Sequence, residues 1–337
     1  MSTQNIIIIL DTECVLACRY CYISKQYRAS TALLNYDTIF TEVESEAKQY
    51  NVLNIEVSGR LDRHTSFLQD LFGHCRLCKN TNFNFFFQLN GTELTDEVLS
   101  IIKDYHVNVG ISSDGFEEVN NRLRVYKGKE KSGFLINQSM EKMRENNIGY
   151  SVRCTISSQN VQDVDSLLAS LRSMQPVSVF LNRMIYKKDA LTDYSQLMVP
   201  IENYLSFYDL YHRTAIASGD FHLVDVNLKR WFYRFSNHPR GWTHFCSTGR
   251  CELGKVITPV GIYPCPKFLG SAIVSKSQVD TYKKINCSSC PVASICQGGC
   301  PLGNNYRADG LSDECLFVRF LYDFYQEQKK SLKYIIK

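Results

Sequence analysis

The sequence predicts an α/β fold, a parallel sheet or barrel built from βαβ units and followed by a smaller cysteine-rich region. Three observations carry that expectation. Six short β-rich runs alternate with helix-like segments at roughly 30–45-residue spacing through the first half of the chain. Beyond residue 185 the alternation gives way to a helical, aromatic stretch. From Cys246 onward the chain is punctuated by Cys and Gly and shows little periodicity.

In chain order the strand candidates are residues 6–10 (IIIIL), 52–57 (VLNIEV), 83–89 (FNFFFQL), 107–112 (VNVGIS), 150–156 (YSVRCTI) and 177–181 (VSVFL). Each is rich in β-branched or aromatic side chains. Between them, residues 36–50, 96–105, 136–146 and 161–173 read as helices, and 201–217 and 228–235 as a further helical pair. A composition shift near residue 240 sets the boundary. The expected organisation is a barrel over 1–185, a helical connection over 186–240, and a cysteine-rich domain with a C-terminal helix over 241–337.

Composition bounds the function. The 337 residues are 44% hydrophobic and 21% charged, as in an ordinary soluble globular protein. Net charge is +4 from 38 basic and 34 acidic residues, too balanced to point to nucleic acid. The start, MSTQNIIIILDTEC, lacks a basic segment and its apolar run is short for a secretion signal. No run approaches the ~20 apolar residues of a membrane span. A cytoplasmic location is therefore expected, where thiols stay reduced and clustered Cys mean metal or catalysis.

There are 14 Cys. Cys14, Cys18 and Cys21 are spaced C-x3-C-x2-C just past the first strand. Three thiolates can hold three irons of a [4Fe–4S] cube and leave the fourth open, whereas electron-transfer cubes commonly use four. A zinc site short of one ligand is the alternative. The second group is Cys246, Cys251, Cys265, Cys287, Cys290, Cys296, Cys300 and Cys315, with a C-x2-C-x5-C-x3-C centre ending in Pro301. Eight thiolates divide into two four-thiolate sites, for which spacing alone leaves zinc and iron–sulfur even. Cys75, Cys78 and Cys154 remain, and incidental helix positions are favoured for the C-x2-C pair.

Together the two groups resemble the radical S-adenosylmethionine enzymes that carry a C-terminal SPASM domain, including the aromatic Tyr20 just before the last Cys of the triplet. The family pattern is matched by Cys246, Gly261, Cys265, the C-x2-C-x5-C-x3-C run and a final Cys315, with one residue fewer than usual between Gly261 and Cys265. That resemblance implies a partial parallel (β/α)6 TIM-type barrel and a small SPASM domain. It implies three [4Fe–4S] clusters: one on the triplet, one auxiliary cluster on Cys246, Cys251, Cys265 and Cys300, and a second on Cys287, Cys290, Cys296 and Cys315. It also implies reductive cleavage of S-adenosylmethionine to a 5′-deoxyadenosyl radical that abstracts a hydrogen atom from substrate, fed by an electron donor such as flavodoxin or ferredoxin.

Strand parity sorts the barrel's faces. Gln88, Asn90, Ser112 and Asn182 are expected to face the lumen and contact the cofactor, with Val109 and Ile111 packed outward. Residues 111–124 (ISSDGFEEVNNRLR) resemble the family's S-x-D-G-P…R stretch, which implies Ser112 and Arg124 as contacts to ribose and carboxylate. In strand five the apolar set Val152, Cys154 and Ile156 is expected outside and Arg153 inside. A one-residue slip would exchange them and make Cys154 a candidate hydrogen-atom donor. Relatives carry Gly-Gly-Glu-Pro after strand two, where this chain has Ser58-Gly59-Arg60. Backbone contacts to the cofactor's amino group survive that change. The carboxylate contact does not, unless Glu56 replaces it or Arg60 simply pairs with another carboxylate.

Many relatives with two auxiliary clusters modify ribosomally made peptides, installing crosslinks or epimerising residues. That implies a precursor peptide as partner, bound at the barrel mouth or through a separate adaptor, because no winged-helix domain precedes Cys14. Anaerobic sulfatase maturases, which make formylglycine, place an acid after the Cys matching Cys265. Pro266 stands here instead and argues against that activity. A non-peptide substrate such as a tetrapyrrole, or a non-enzymatic zinc or electron-carrier module, are the remaining readings. Tyr186, Tyr263 and Trp242 are candidates to line the mouth, and the basic stretch 329–337 reads as a solvated helix face or tail.

Overall fold

A computed structural model of the chain describes residues 2–128, 130–185, 187, 190, 192–237, 255–269, 290–296 and 312–329. All six expected strands form: β1 (Thr3–Ile9), β2 (Val52–Ser58), β3 (Asn82–Leu89), β4 (Asn108–Ser112), β5 (Tyr150–Ile156) and β6 (Ser178–Arg183). They pair in parallel in chain order. Two short strands, β7 (Lys255–Thr258) and β8 (Gly261–Tyr263), extend the sheet at β1, the first parallel and the second antiparallel. The order β6-β5-β4-β3-β2-β1-β7-β8 leaves β6 and β8 unpaired to each other among the described residues, so the sheet is open.

The crossovers are α1 (Lys25–Ala29) and α2 (Tyr36–Ala47), α3 (Thr65–Leu77), α4 (Asp96–Tyr105), α5 (Glu117–Leu123) and α6 (Gly133–Glu145), and α7 (Val164–Met174). Their starts are written locally. Asn35, Thr95 and Asp163 each accept an otherwise orphaned amide of the first turn, from Thr38, Val98 and Ser166. His106 and Gln175 close α4 and α7 in the left-handed region. After β6 come α8 (Ile201–Ala217), α9 (Val226–Asn237), the single turn α10 (Ala293–Cys296) and α11 (Asp313–Gln328).

Strand alternation divides the sheet as parity requires. Ile6, Ile8, Leu53, Ile55, Val57, Phe85, Phe87, Val109, Ile111, Val152, Cys154, Ile156 and Val179 are buried in one core with the helices. Each such aliphatic or aromatic group contributes about 1.5–3 kcal/mol when fully buried. Phe72 of α3 stacks on Phe85 at 4.0 Å. The other face is polar. Asn5, Asn54 and Asn84 form a hydrogen-bonded ladder across β1, β2 and β3, with 2.8 and 2.9 Å links. Glu56, Gln88, Ser112, Ser151 and Arg153 continue it.

Among the described residues beyond β6, many aromatic side chains pack against one another. Tyr204 and Tyr208 of α8 meet Phe317 of α11, and Phe232 and Phe235 of α9 meet Phe324 and Tyr322. Arg183 at the end of β6 ties α11 down through Asp313 at 3.2 Å and Glu314 at 3.4 Å. No helix among the described residues is long and apolar enough to cross a membrane.

Candidate functional site

The C-terminal ends of β1 to β6 lie at one end of the sheet, where parallel α/β folds place their chemistry. The loop after β1 carries Cys14, Cys18 and Cys21, and it is clamped on two sides. Ala17 and Arg19 amides donate to Val125 and Leu123 carbonyls at 2.7 and 2.8 Å, and Lys127 N–H donates to Val15 at 3.2 Å. On the other side Arg28 of α1 donates to the Thr12 carbonyl at 2.9 Å and reaches Cys21 Sγ at 3.8 Å. Thr192 Oγ1 donates to the Arg19 carbonyl.

Tyr20 fixes this loop to the barrel. Its hydroxyl donates to the Asp114 carboxylate and accepts from Arg124 Nη1 at 2.7 Å. Arg124 Nη1 stands 3.9 Å from Asp114, and Nη2 donates to the Asn90 carbonyl at 3.4 Å. Arg124 is only 6% exposed, so it is not a solvated helix residue. Asp114 also accepts Thr155 N–H at 2.9 Å, which links β4 to β5. Burial pushes the Asp114 carboxyl above its usual range, with the Arg124 charge and the Tyr20 and Thr155 bonds opposing.

The donor set, three thiols on one loop, fits a cube that takes one thiolate at each of three corner irons. Burial pushes the Cys18 thiol up to about 12, the Arg124 charge opposes this, and repulsion from Cys21 and Cys14 adds to it.

After β2, Gly59 turns with φ +122°, where a Cβ would stand 3.1 Å from Leu10 Cβ and 3.2 Å from Leu10 N. Only Gly suits that backbone. Asp11 holds the turn by accepting Arg60 N–H at 2.8 Å, and His64 Nε2 lies 3.1 Å from its other oxygen. Tyr36 OH meets His64 Nδ1 at 2.8 Å. Burial pushes Asp11 up, but these bonds outweigh it and hold its carboxyl below the ordinary value. Arg60 itself pairs with Asp62 and Glu93. Glu56 is taken by Arg153 at 3.0 Å.

On the polar face Gln88 Nε2 donates to Ser112 Oγ at 2.9 Å. Gln88 Oε1, Arg153 Nε and Arg124 Nε are buried without hydrogen-bond partners among the described residues. A Cβ on Gly110 would come within 2.6 Å of Gln88 Oε1, so the Gln88 side chain lies tight against that side of β4. The orphaned groups on this face fit a polar ligand. Ser58 stands at the end of β2 and Asn182 is exposed near the end of β6.

One expectation is revised, and one alternative falls away. The Asn90 side chain does not point freely to the lumen: it closes its own turn, accepting Thr92 N–H at 2.8 Å and donating to Glu93 at 2.9 Å. Strand five is not slipped, so Cys154 lies on the helix side at 0% exposure and its role as hydrogen-atom donor is withdrawn. Its nearest polar partner is Asn160 Nδ2 at 3.8 Å, and burial pushes its thiol well up. Cys75 is a buried residue of α3 and Cys78 its C-cap.

Of the second cysteine group, Cys265, Cys290 and Cys315 are half-buried and Cys296 is buried. Ser312 caps α11 by accepting Cys315 N–H at 3.2 Å. Cys246, Cys251, Cys287 and Cys300 lie outside the described residues, as do Tyr186 and Trp242. Tyr263 packs beside the small cluster of Ile9, Tyr27, Val256 and Leu269. Sequence reading missed Tyr22, which is 41% exposed and whose hydroxyl sits within the fields of Cys21, Cys265, Glu56 and Arg28. Cys21 belongs to the first cysteine group and Cys265 to the second. The adjacency of Tyr22 to Cys21 was the available signal.

No family model matches the chain. A cysteine-type anaerobic sulfatase-maturating enzyme of Clostridium novyi is 20% identical over 363 residues, spanning 97% of this chain and 95% of that protein. An uncharacterized protein of Methanocaldococcus jannaschii is 21% identical over 209 residues, 60% of this chain and 68% of that one. Among solved structures, anSMEcpe with bound AdoMet and a Cp18Cys peptide superimposes with a TM-score of 0.81 at 15% identity, covering 99% of this chain and 100% of that one. SuiB of Streptococcus suis bound to precursor peptide SuiA gives 0.63 at 14% identity, over 93% of this chain and 75% of that one. From one end to the other, the chain has the fold of these maturation proteins.

Proposed function

We propose that this chain is a radical S-adenosylmethionine enzyme with a SPASM domain, acting on a ribosomally made peptide. The observation that carries the reading is the clamped loop of three half-buried thiols, fixed by Tyr20 to Asp114 and Arg124 at the C-terminal end of a parallel sheet. Support for a peptide comes from the shared fold, since both solved structures named above contain one. When bound, a [4Fe–4S] cluster and S-adenosylmethionine supply hydrogen-atom abstraction from an unactivated C–H bond.

The chain's own residues do the holding. Cys14, Cys18 and Cys21 ligate the cluster, with Arg28 offsetting thiolate charge near Cys21. Backbone groups of Ser58 and Gly59 take the cofactor's amino group, kept in register by Asp11. Gln88, Ser112 and the unsatisfied Nε of Arg124 receive ribose and carboxylate. Arg60, pinned by Asp62 and Glu93, leaves that side to the backbone. The auxiliary clusters rest on Cys246, Cys251, Cys265 and Cys300, and on Cys287, Cys290, Cys296 and Cys315. When bound, those clusters would offer an acceptor or relay for an electron from the substrate, which favours a net oxidation. The division into 1–185, 186–240 and 241–337, a cytoplasmic setting, a flavodoxin- or ferredoxin-type donor and a peptide adaptor belong to the same reading.

Iron counting after anaerobic reconstitution tests it. Wild type is expected to hold about twelve irons per chain and the Cys14/Cys18/Cys21→Ala variant about eight. Four or fewer irons with stoichiometric zinc in wild type would refute it. Sulfatase maturation is the second reading, favoured by the end-to-end match to the Clostridium novyi protein. Conversion of a cysteine-containing sulfatase peptide to formylglycine would select it, despite Pro266.

A further inference from the structure

The polar face of the barrel carries more positive charge than the site above uses. Arg153 on β5 spends Nη2 on Glu56, while its buried Nε has no acceptor among the described residues. Its guanidinium lies 5.3 Å from the centre of the Phe180 ring, on the neighbouring strand. Arg230 of α9 reaches the same ring at 5.5 Å. Among the described residues Arg230 makes no hydrogen bond or ion pair. Its helix is nonetheless firmly set, because Leu228, Trp231, Phe232 and Phe235 are all buried.

Two carboxylates act on Arg230 from a distance, and both are committed. Glu56 belongs to Arg153. Asp225 is buried and accepts Tyr208 OH at 2.6 Å, Asn227 N–H at 3.0 Å and Leu181 N–H at 3.2 Å. Burial, and then the Arg153 charge, push the Arg230 guanidinium below its ordinary value. Two cations thus share one aromatic ring with a single ion-paired carboxylate between them. Arg230 is exposed to solvent, so its unpaired guanidinium can meet a planar anion beside a second guanidinium with a free N–H.

We propose that Arg153 and Arg230 form a carboxylate-binding subsite in the barrel lumen, which selects substrate peptides presenting an acidic group to the reaction chamber. Phe180 supports both guanidinium planes, and Glu56 orients Arg153 while leaving Arg230 to the ligand. The carboxylate is either an Asp or Glu side chain or the free C-terminus of the peptide. This proposal rests on the lumen receiving a peptide, as in the function proposed above.

The test is calorimetry on the anaerobically reconstituted full chain, saturated with S-adenosylmethionine so that the cofactor's own carboxylate is already placed. Three acetylated alanine–glycine pentapeptides serve as probes: central glutamate with an amidated end, central glutamine with a free carboxylate end, and central glutamine with an amidated end. At least one acidic peptide is expected to bind about tenfold tighter than the neutral one, as one charge-assisted hydrogen-bonded pair provides. Which acidic peptide gains identifies side chain or terminus as the source. Arg230→Gln should remove that preference, and Arg230→Lys should keep part of it. Absence of any preference in wild type, absence of binding by all three probes, or a preference that survives Arg230→Gln overturns the proposal. Acid preference in a protein that makes no 5′-deoxyadenosine keeps the subsite and loses the enzyme reading. The opposite pattern keeps the enzyme and loses the subsite.

Discussion

Replacing Arg124 by Met isolates what the buried Tyr20–Asp114–Arg124 group contributes. The substitution keeps an unbranched chain in a site that is 6% exposed but removes the donor to Tyr20 OH, the donor to the Asn90 carbonyl and the charge 3.9 Å from Asp114. Asp114 keeps its bonds from Thr155 N–H and Tyr20 OH but loses the one counter-charge within 4 Å among the described residues. Breaking a buried pair from one side costs about 3–5 kcal/mol, because the remaining charge is left uncompensated. Chemical denaturation under anaerobic conditions should show that loss. Adding Asp114→Asn should return more than half of it, since an amide can still accept from Thr155 and donate to the Tyr20 oxygen. Iron loading should stay low in the double variant, because the charge that favours the Cys18 thiolate is still missing. A single variant within about 1 kcal/mol of wild type would refute this reasoning, as would a double variant no more stable than the single one.

Two further predictions address other parts of the site and scaffold. Gly59→Ala forces a Cβ onto a φ of +122° against Leu10 and should cost about 1–3 kcal/mol of stability; calorimetry should show weaker S-adenosylmethionine binding, and unchanged affinity would remove Gly59 from the cofactor site. His212 is buried with Nδ1 donating to the Tyr208 carbonyl at 2.6 Å and Nε2 accepting Asp225 N–H at 3.3 Å, and burial brings its pKa down to about 3. Because the unfolded chain takes up a proton near pH 6.5 and the folded one does not until about 3, this group's stabilisation is full above 6.5 and lost as pH falls. By pH 5 the loss is about 2 kcal/mol. His212→Gln should flatten that slope in denaturation curves measured from pH 7 to 5, and an unaltered slope would contradict the assignment.

Much of the scaffold is legible because strand signals are local. A run such as FNFFFQL has nowhere to go but a half-buried strand, and its parity also says that Gln88 faces away from Phe85 and Phe87. The same parity places Arg153 and Cys154 on opposite faces. The pairing of β7 with β1 is not legible, since it joins residues about 250 apart through only three residue pairs. Helix α3 carries Phe67, Leu68, Leu71, Phe72 and Cys75 at helical spacing, a signal that a strand-first reading passes over.

In the site, cysteine spacing is legible because ligand number and loop length are written in sequence. The burial of Arg124 is not, because an Arg is exposed by default and only the fold brings Tyr20 and Asp114 to it. Arg230 gives no local signal at all: it becomes notable only when α9 sets it over a ring on β6. Asn90 shows the converse. Parity points it inward, but short-range hydrogen bonds to Thr92 and Glu93 take its side chain first.

The most direct test of the central claim is formation of 5′-deoxyadenosine from S-adenosylmethionine by the anaerobically reconstituted, reduced protein. Wild type is expected to produce it and the Cys14/Cys18/Cys21→Ala variant is expected to produce none, with auxiliary-cluster absorbance retained. Equal turnover by the two proteins, or none by a fully iron-loaded wild type, would contradict the account.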